Sequence, residues 1–315
     1  MTEFKQKGRD SLKNGRIIKA LSGFYYIQSE DGKIYQTKPR GIFRKRNESP
    51  LVGDEVKFSA SAITEGTLEE ISQRSNQLTR PTVANVDIGV IIMSLKDPDF
   101  STSLLDRYLV SLEQHHIQPV IWITKTDLAD EKEYEKVKVH ADYYRKIGYE
   151  VILPERDKVL EQVEVEDLFG SMITKRLAVF LGQSGAGKST LLNRLDANLQ
   201  LKIGETSKSL GRGRHTTRHV ELVPLLGGLI ADTPGFSAIE FDDIAAADLA
   251  VCFPEIWETG RECRFKGCVH QNEPNCAVKT AVNKGTIAQH RYDHYLSILE
   301  EIQNRKPRYG KKRGS

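Results

Sequence analysis

Gly182-Gln183-Ser184-Gly185-Ala186-Gly187-Lys188-Ser189 fits the phosphate-cradling pattern GxxxxGK[ST], with the apolar run Leu177-Ala178-Val179-Phe180-Leu181 before it and Thr190-Leu191-Leu192-Asn193-Arg194-Leu195 after it. This context predicts a strand, a loop and a helix. The glycines let the loop wrap a polyphosphate closely enough for backbone NH groups to point inward, and the helix adds its positive end to the same anion. In this pattern Lys188 reaches the β- and γ-phosphates and Ser189 offers its hydroxyl to Mg²⁺. Residues 182–190, Thr190 included, are the candidate phosphate contacts.

A chain of 315 residues has room for two or three domains. Its 46 Lys plus Arg against 43 Asp plus Glu leave a net charge of +3, so the placement of charge is more informative than its sum. The first residues lack the apolar core of a signal peptide, and no uninterrupted apolar run approaches the ~18 residues of a membrane span. A soluble, cytoplasmic protein is expected. Of four cysteines, three cluster beside a histidine, which fits a metal site in a reducing compartment better than a disulfide framework.

Residues 15–71 read as about five short β-prone pieces punctuated by glycine, a pattern that predicts a small closed barrel of the OB-fold type. The loop Lys38-Pro39-Arg40-Gly41-Ile42-Phe43-Arg44-Lys45-Arg46 carries five cations around an aromatic. Such a loop can track a phosphate backbone while Phe43 stacks on a base.

Beyond Arg80-Pro81 buried strands alternate with amphipathic helices, as in a parallel sheet covered on both faces. Strands are expected at 87–93, 120–123, 150–153 and 177–181, with helices at 104–113, 131–147 and 159–168 between them. Directly after the second strand stands Thr124-Lys125-Thr126-Asp127, one residue away from NKxD. A carboxylate there accepts two hydrogen bonds from guanine, its ring NH and its exocyclic amine, where adenine offers no matching pair. Asp127 therefore selects GTP over ATP, and the Lys125 stem lies along the base. At the carboxyl end of a parallel strand the motif sits where nucleotides bind.

After the phosphate loop, Gly211-Arg212-Gly213-Arg214-His215-Thr216-Thr217 and then Asp232-Thr233-Pro234-Gly235 have the form of a nucleotide switch. A threonine of the first segment joins Mg²⁺, here Thr217 with Thr216 in reserve. The DxxG turn sets Asp232 near the metal and the Gly235 amide near the γ-phosphate. Base recognition precedes the phosphate loop instead of following DxxG, so the order of parts is that of a circularly permuted GTPase.

Toward the C-terminus, Cys263, Cys268, His270 and Cys276 place three thiols and an imidazole within fourteen residues. Four ligands without a fifth candidate argue for a closed, structural zinc site, one per chain, able to supply on the order of 10 kcal/mol to the folding of a small module. Cys252 is expected to be a small core residue. A helix over residues 287–302 and a basic tail from Arg305 to Arg313 complete the chain, the tail suited to RNA phosphates.

Permuted order, barrel and Cys/His cluster together resemble the RsgA (YjeQ/YloQ) family of ribosome-associated GTPases over residues 12 to 300. The resemblance implies binding to the small ribosomal subunit and its rRNA late in assembly, with hydrolysis stimulated by that subunit. It implies no membrane partner, and a monomer is expected. Position 236 is Phe where many GTPases have a water-orienting Gln, and His215 matches the residue proposed to act in that family's place of it. The expected architecture is α/β, with an OB-fold RNA-binding barrel (1–73), a circularly permuted P-loop GTPase domain (74–240) and a zinc-binding module with a C-terminal helix and basic tail (241–315). Lys188, His215, Thr217 and Gly235 are the candidate catalytic groups. Alternatives are a permuted GTPase acting on the large subunit, an RNA-binding protein holding GTP as a structural ligand, and an ATP-dependent P-loop enzyme.

Overall fold

The computed structural model describes residues 12–79, 81–156, 158, 160–196, 220–232, 241 and 244–305. Strands β1 (Lys13–Leu21), β2 (Phe24–Ser29) and β3 (Ile34–Pro39), a short helix α1 (Gly41–Lys45), and strands β4 (Glu55–Ala62) and β5 (Glu65–Ile71) come first. They hydrogen-bond in the order β1-β2-β3-β5-β4, and β4 returns to β1, closing the expected five-stranded barrel. Period-two alternation puts Ile17, Ile27, Tyr35, Val56, Phe58 and Leu68 inside it, with the Tyr35 and Phe58 rings 5.1 Å apart. Phe43 also points inward and is only 4% exposed. It cannot stack on a base: α1 turns its one large aromatic into the core, and its cations stay outside.

A two-stranded ribbon, β6 (Gln77–Thr79) and β7 (Thr82–Ala84), leads into β8 (Ile88–Ser94), α2 (Thr102–Glu113), β9 (Gln118–Thr124), α3 (Glu131–Lys146) and β10 (Glu150–Ile152). Then come α4 (Gln162–Ile173), β11 (Leu177–Leu181), α5 (Lys188–Leu195), β12 (Glu221–Leu225) and β13 (Gly228–Asp232). The sheet order is β10-β9-β8-β11-β13-β12, parallel except for the β12–β13 hairpin. Every residue of β8 and β11 is buried, as central parallel strands covered by helices must be. Alternate side chains of one strand serve opposite faces. Ile91 and Met93 meet α2 and α3, while Ile88, Val90 and Ile92 meet α4 and α5.

Helix ends follow local chemistry. Ser101 caps α2 through Leu104 N, and Asp130 with Glu133 forms a reciprocal capping box on α3, whose last turn carries Arg145 and Lys146. β1 also pairs with β12 at Lys19↔Glu221, where a 2.8 Å ion pair continues the barrel into the parallel sheet. Helices α6 (Pro254–Gly260), α7 (Ala277–Asn283) and α8 (Gln289–Gln303) close the chain around Leu249, Phe253, Ile256, Val278, Tyr295 and Leu299, and Val110 of α2 joins that core. Of the face expected on the last helix, Tyr292, Tyr295, Leu296, Leu299 and Ile302, four are buried and Leu296 is half-buried, and Cys252 is buried in the same core. No described helix is long and apolar enough to cross a membrane.

Candidate nucleotide site and metal centre

The carboxyl ends of β8, β9 and β11 converge, and the phosphate loop leaves β11 between them. Gly182 has φ +140°, and a Cβ there would meet the Ile92 carbonyl oxygen at 2.2 Å. Only glycine permits that approach. Gly187 (φ +94°) turns the chain into α5, and a Cβ at that position would stand 3.4 Å from Thr124 Oγ1. Lys188 Nζ folds back onto the loop, donating to the Gly182 carbonyl at 2.5 Å and the Gln183 carbonyl at 3.2 Å. Burial lowers its ammonium pKa, and no described carboxylate pairs with it, so an anion in the loop would supply its counter-charge. Gln183 Nε2 is buried with no partner among the described residues. A cradle that excludes Cβ atoms, an under-compensated lysine and a spare donor fit a bound polyphosphate.

Thr124-Lys125-Thr126-Asp127 stands beside this loop. Thr124 Oγ1 donates to the Ala186 carbonyl at 2.6 Å, so the residue that departs from NKxD nevertheless braces the phosphate loop. Lys125 adopts φ +56° and its ammonium donates to the Asp97 carbonyl. Thr126 is buried, whereas Asp127 is exposed and able to face a base. The segment between β8 and α2 closes the same corner: Ser94 Oγ donates to the Pro98 carbonyl at 2.5 Å, and Pro98 Cδ would lie 3.6 Å from a Cβ on Gly185. Sequence reasoning missed this Ser94–Pro98 wall because no motif marks it. Ser184 and Thr190 are exposed and Ser189 half-buried at the start of α5. His215, Thr216, Thr217, Gly235 and Phe236 lie outside the described residues, as does the side chain of Asp232, the last residue of β13.

Cys263, Cys268, His270 and Cys276 come together, their ligand atoms all within 4.8 Å of one another. Sulfur–sulfur separations are 3.8 Å (Cys263–Cys276) and 3.9 Å (Cys268–Cys276). His270 Nδ1 lies 3.6 Å from Cys263 Sγ and 3.4 Å from Cys276 Sγ. A tetrahedron with Zn–S of about 2.3 Å and Zn–N of about 2.0 Å has edges of about 3.5–3.8 Å. The donor set therefore has the size and chemistry of a zinc site. Without a cation, burial pushes the Cys268 thiol up to about 12, and burial keeps His270 neutral, with its ring nitrogen free to coordinate.

The surrounding structure holds that geometry. Tyr292 OH and Tyr295 OH from α8 donate to the carbonyls of His270 and Val269 at 2.7 and 2.9 Å, and the Glu273 carboxylate accepts from the amides of Val269 and Gln271. A Cβ on Gly260 would stand 3.0 Å from two ring atoms of His270.

Helix α8 carries a second set of polar groups, unmarked by any motif. Arg291 is wholly buried and donates to Asp106 of α2 at 2.6 Å and to Glu255 of α6 at 2.6 and 3.1 Å. Asp106 also accepts from Tyr144 OH at 2.5 Å and pairs with His294 Nδ1 at 2.6 Å. Burial alone would raise the Asp106 carboxyl, but Arg291, His294 and Tyr144 together hold it below the ordinary range.

Residues 71–242 match the family described as RsgA GTPase, and residues 14–68 match the RsgA N-terminal domain. The chain is similar to the small ribosomal subunit biogenesis GTPase RsgA 1 of Listeria monocytogenes serotype 4b, 53% identical over 94% of this chain and 99% of the relative. The protein of that function from Enterococcus faecalis is 52% identical over 95% and 98%. Among solved structures, the circularly permuted GTPase YloQ superposes with a TM-score of 0.80 at 42% identity, covering 97% of this chain and all of that one. YjeQ from Thermotoga maritima also superposes with a TM-score of 0.80, at 30% identity.

Proposed function

This chain belongs to the RsgA family of GTPases, and on that premise we propose that it hydrolyses GTP under the control of the small ribosomal subunit, whose late maturation it serves. The observation that carries the reading is the Thr124–Ala186 hydrogen bond, which ties a guanine-reading turn to a phosphate loop in permuted order. Asp127 accepts from the base. Residues 182–190 wrap the phosphates, and Lys188 neutralises the β- and γ-oxygens. Ser189, Thr217 and Asp232 are the groups that would hold Mg²⁺, which when bound would supply charge neutralisation at the transferring phosphate. The Gly235 amide senses the γ-phosphate, and His215 places the attacking water once the ribosome is bound.

The barrel (1–73) and the C-terminal module (241–315) flank the GTPase domain (74–240) and supply contacts to rRNA; the protein acts as a cytoplasmic monomer. Zinc, one per chain on Cys263, Cys268, His270 and Cys276, is structural. The names of the relatives support the small-subunit assignment. The grip on that subunit follows the nucleotide: affinity is higher with a non-hydrolysable GTP analogue than with GDP, and equal affinities would count against the coupling.

Replacing Asp127 by Asn tests the base reading. It should shift preference from GTP toward xanthosine triphosphate, whereas unchanged GTP preference would remove Asp127 from the site.

A further inference from the structure

The aromatic expected to meet RNA, Phe43, is buried, which leaves the surface to be searched for another. Among the described residues the exposed large aromatics are Trp257, 48% exposed, and Phe265, 44% exposed. They differ in their electrostatic setting. Trp257 lies on α6 between Glu255 and Glu258, and the cations beside it are already spent on those acids, Arg291 on Glu255 and Arg261 on Glu258. Phe265 lies between Arg264 and Lys266, all three exposed, on the tip that joins Cys263 to Cys268.

That tip is built for presentation. Its ends are two candidate zinc ligands, and Cys268 N donates to the Phe265 carbonyl at 3.3 Å. Gly267 completes the turn at φ +76° in open space. Neighbouring Arg261 is committed to Glu258 at 3.0 Å, but neither Arg264 nor Lys266 forms an ion pair with a described residue. Glu262 at the base of the tip is a single acid against two unpaired cations. The Arg264 guanidinium lies 5.9 Å from the Phe265 ring, leaving a ring face with a cation at its side. The tip thus holds an apolar ring in water with a cation on either side of it in the chain.

We propose that residues 264–266 form a single-stranded RNA contact, in which Phe265 stacks on an unpaired base and Arg264 and Lys266 meet the flanking phosphates. Stacking with neighbouring cations is how proteins hold unpaired nucleotides, since every base has a π-face and paired bases in an A-form duplex do not expose theirs. A protein partner would be expected to offer acids to the two cations and an apolar pocket to the ring. Among the described residues no acid pairs with either cation, and together with the RNA partner argued above this favours the polyanion. This inference rests on that RNA-binding reading.

The test uses the full zinc-loaded chain with a short uridine homopolymer and with an RNA duplex of equal length, each over a range of salt. Phe265→Leu keeps an apolar side chain and removes the π-face. It should weaken homopolymer binding about 5- to 150-fold without altering the salt slope. Phe265→Trp should restore it, and duplex binding should not change. Arg264→Ala and Lys266→Ala should each reduce the salt slope on the homopolymer by about 0.7. Metal content and basal GTP hydrolysis should match wild type in every variant.

Unchanged homopolymer binding by Phe265→Leu, or an equal loss on duplex, would overturn the proposal. So would a loss confined to intact subunits with homopolymer binding untouched, the mark of a protein contact. Failure of the functional reading is separate: it appears as absent stimulation of the wild-type chain by small subunits, whatever the homopolymer shows.

Discussion

Arg291 Nη1 lies 2.6 Å from Asp106 Oδ1, and both side chains are completely buried. The contact joins the last long helix, α8, to α2, the helix that follows the Ser94–Pro98 wall of the nucleotide site. α8 in turn holds the metal knuckle through Tyr292 and Tyr295. α8 thus links α2, the helix that follows that wall, to the metal knuckle. Arg107 reinforces the joint through a two-point contact with Glu301 at 2.6 and 3.2 Å.

Removing Arg291 should be far more damaging than losing an ordinary surface pair. Arg291→Met leaves Asp106 and Glu255 as buried acids without their cation, and such truncations cost about 3–5 kcal/mol. Denaturant unfolding should show that loss. Arg107→Met, at the partly exposed pair, should cost about 1 kcal/mol or less.

The same joint predicts sensitivity to acid. His140 and His290 pack with ring centroids 5.0 Å apart; Tyr143, Tyr144 and His294 surround His290, and Phe100 stacks on His140. Burial lowers the pKa of both below the ordinary 6.5, the nearby Lys136 adding to the effect at His140 and His294 at both, against the opposing pull of Asp106. A lowered histidine pKa means the unfolded chain binds more protons below 6.5, so stability falls as pH drops through and below that value. The midpoint for unfolding should decline from pH 7 to pH 5.5, and His140→Phe with His290→Phe should flatten the profile.

Thr124 should matter to nucleotide binding through its hydroxyl alone. Thr124→Val deletes the hydrogen bond to Ala186, whose expected worth is about 0.5–1.5 kcal/mol, or about 2- to 12-fold in affinity for GTP. Thr124→Ser should bind GTP as wild type does. Equilibrium titration of a fluorescent GTP analogue distinguishes the two variants.

Chelation should act on one end of the molecule first. Removing zinc from four thiol and imidazole ligands withdraws the cation that keeps the buried thiols ionised. Hydrogen exchange should then rise across residues 254–303 before it rises in β8 or β11, with one zinc released per chain. Cys276→Ala should reproduce the effect without chelator.

Much of this organisation is legible in the chain because it rests on local residue types. The phosphate loop, the Cys/His spacing and the apolar runs in β8 and β11 each declare their chemistry within a few residues. What is hidden depends on partners distant in sequence. The Thr124 hydroxyl finds its acceptor 62 residues away, so a mismatch to NKxD reads as a weakness when it is a brace. Arg291 carries no local mark of its role, since Asp106, 185 residues earlier, is invisible to any local pattern. Phe43 was expected on the surface because its neighbours are cations, yet a single turn of helix suffices to separate an inward ring from outward charges.

The most direct test of the account is steady-state GTP hydrolysis by the purified chain alone, with isolated small subunits and with isolated large subunits at matched salt. Strong stimulation by small subunits and none by large ones is the predicted result. Stimulation by large subunits alone, or by neither, would contradict it.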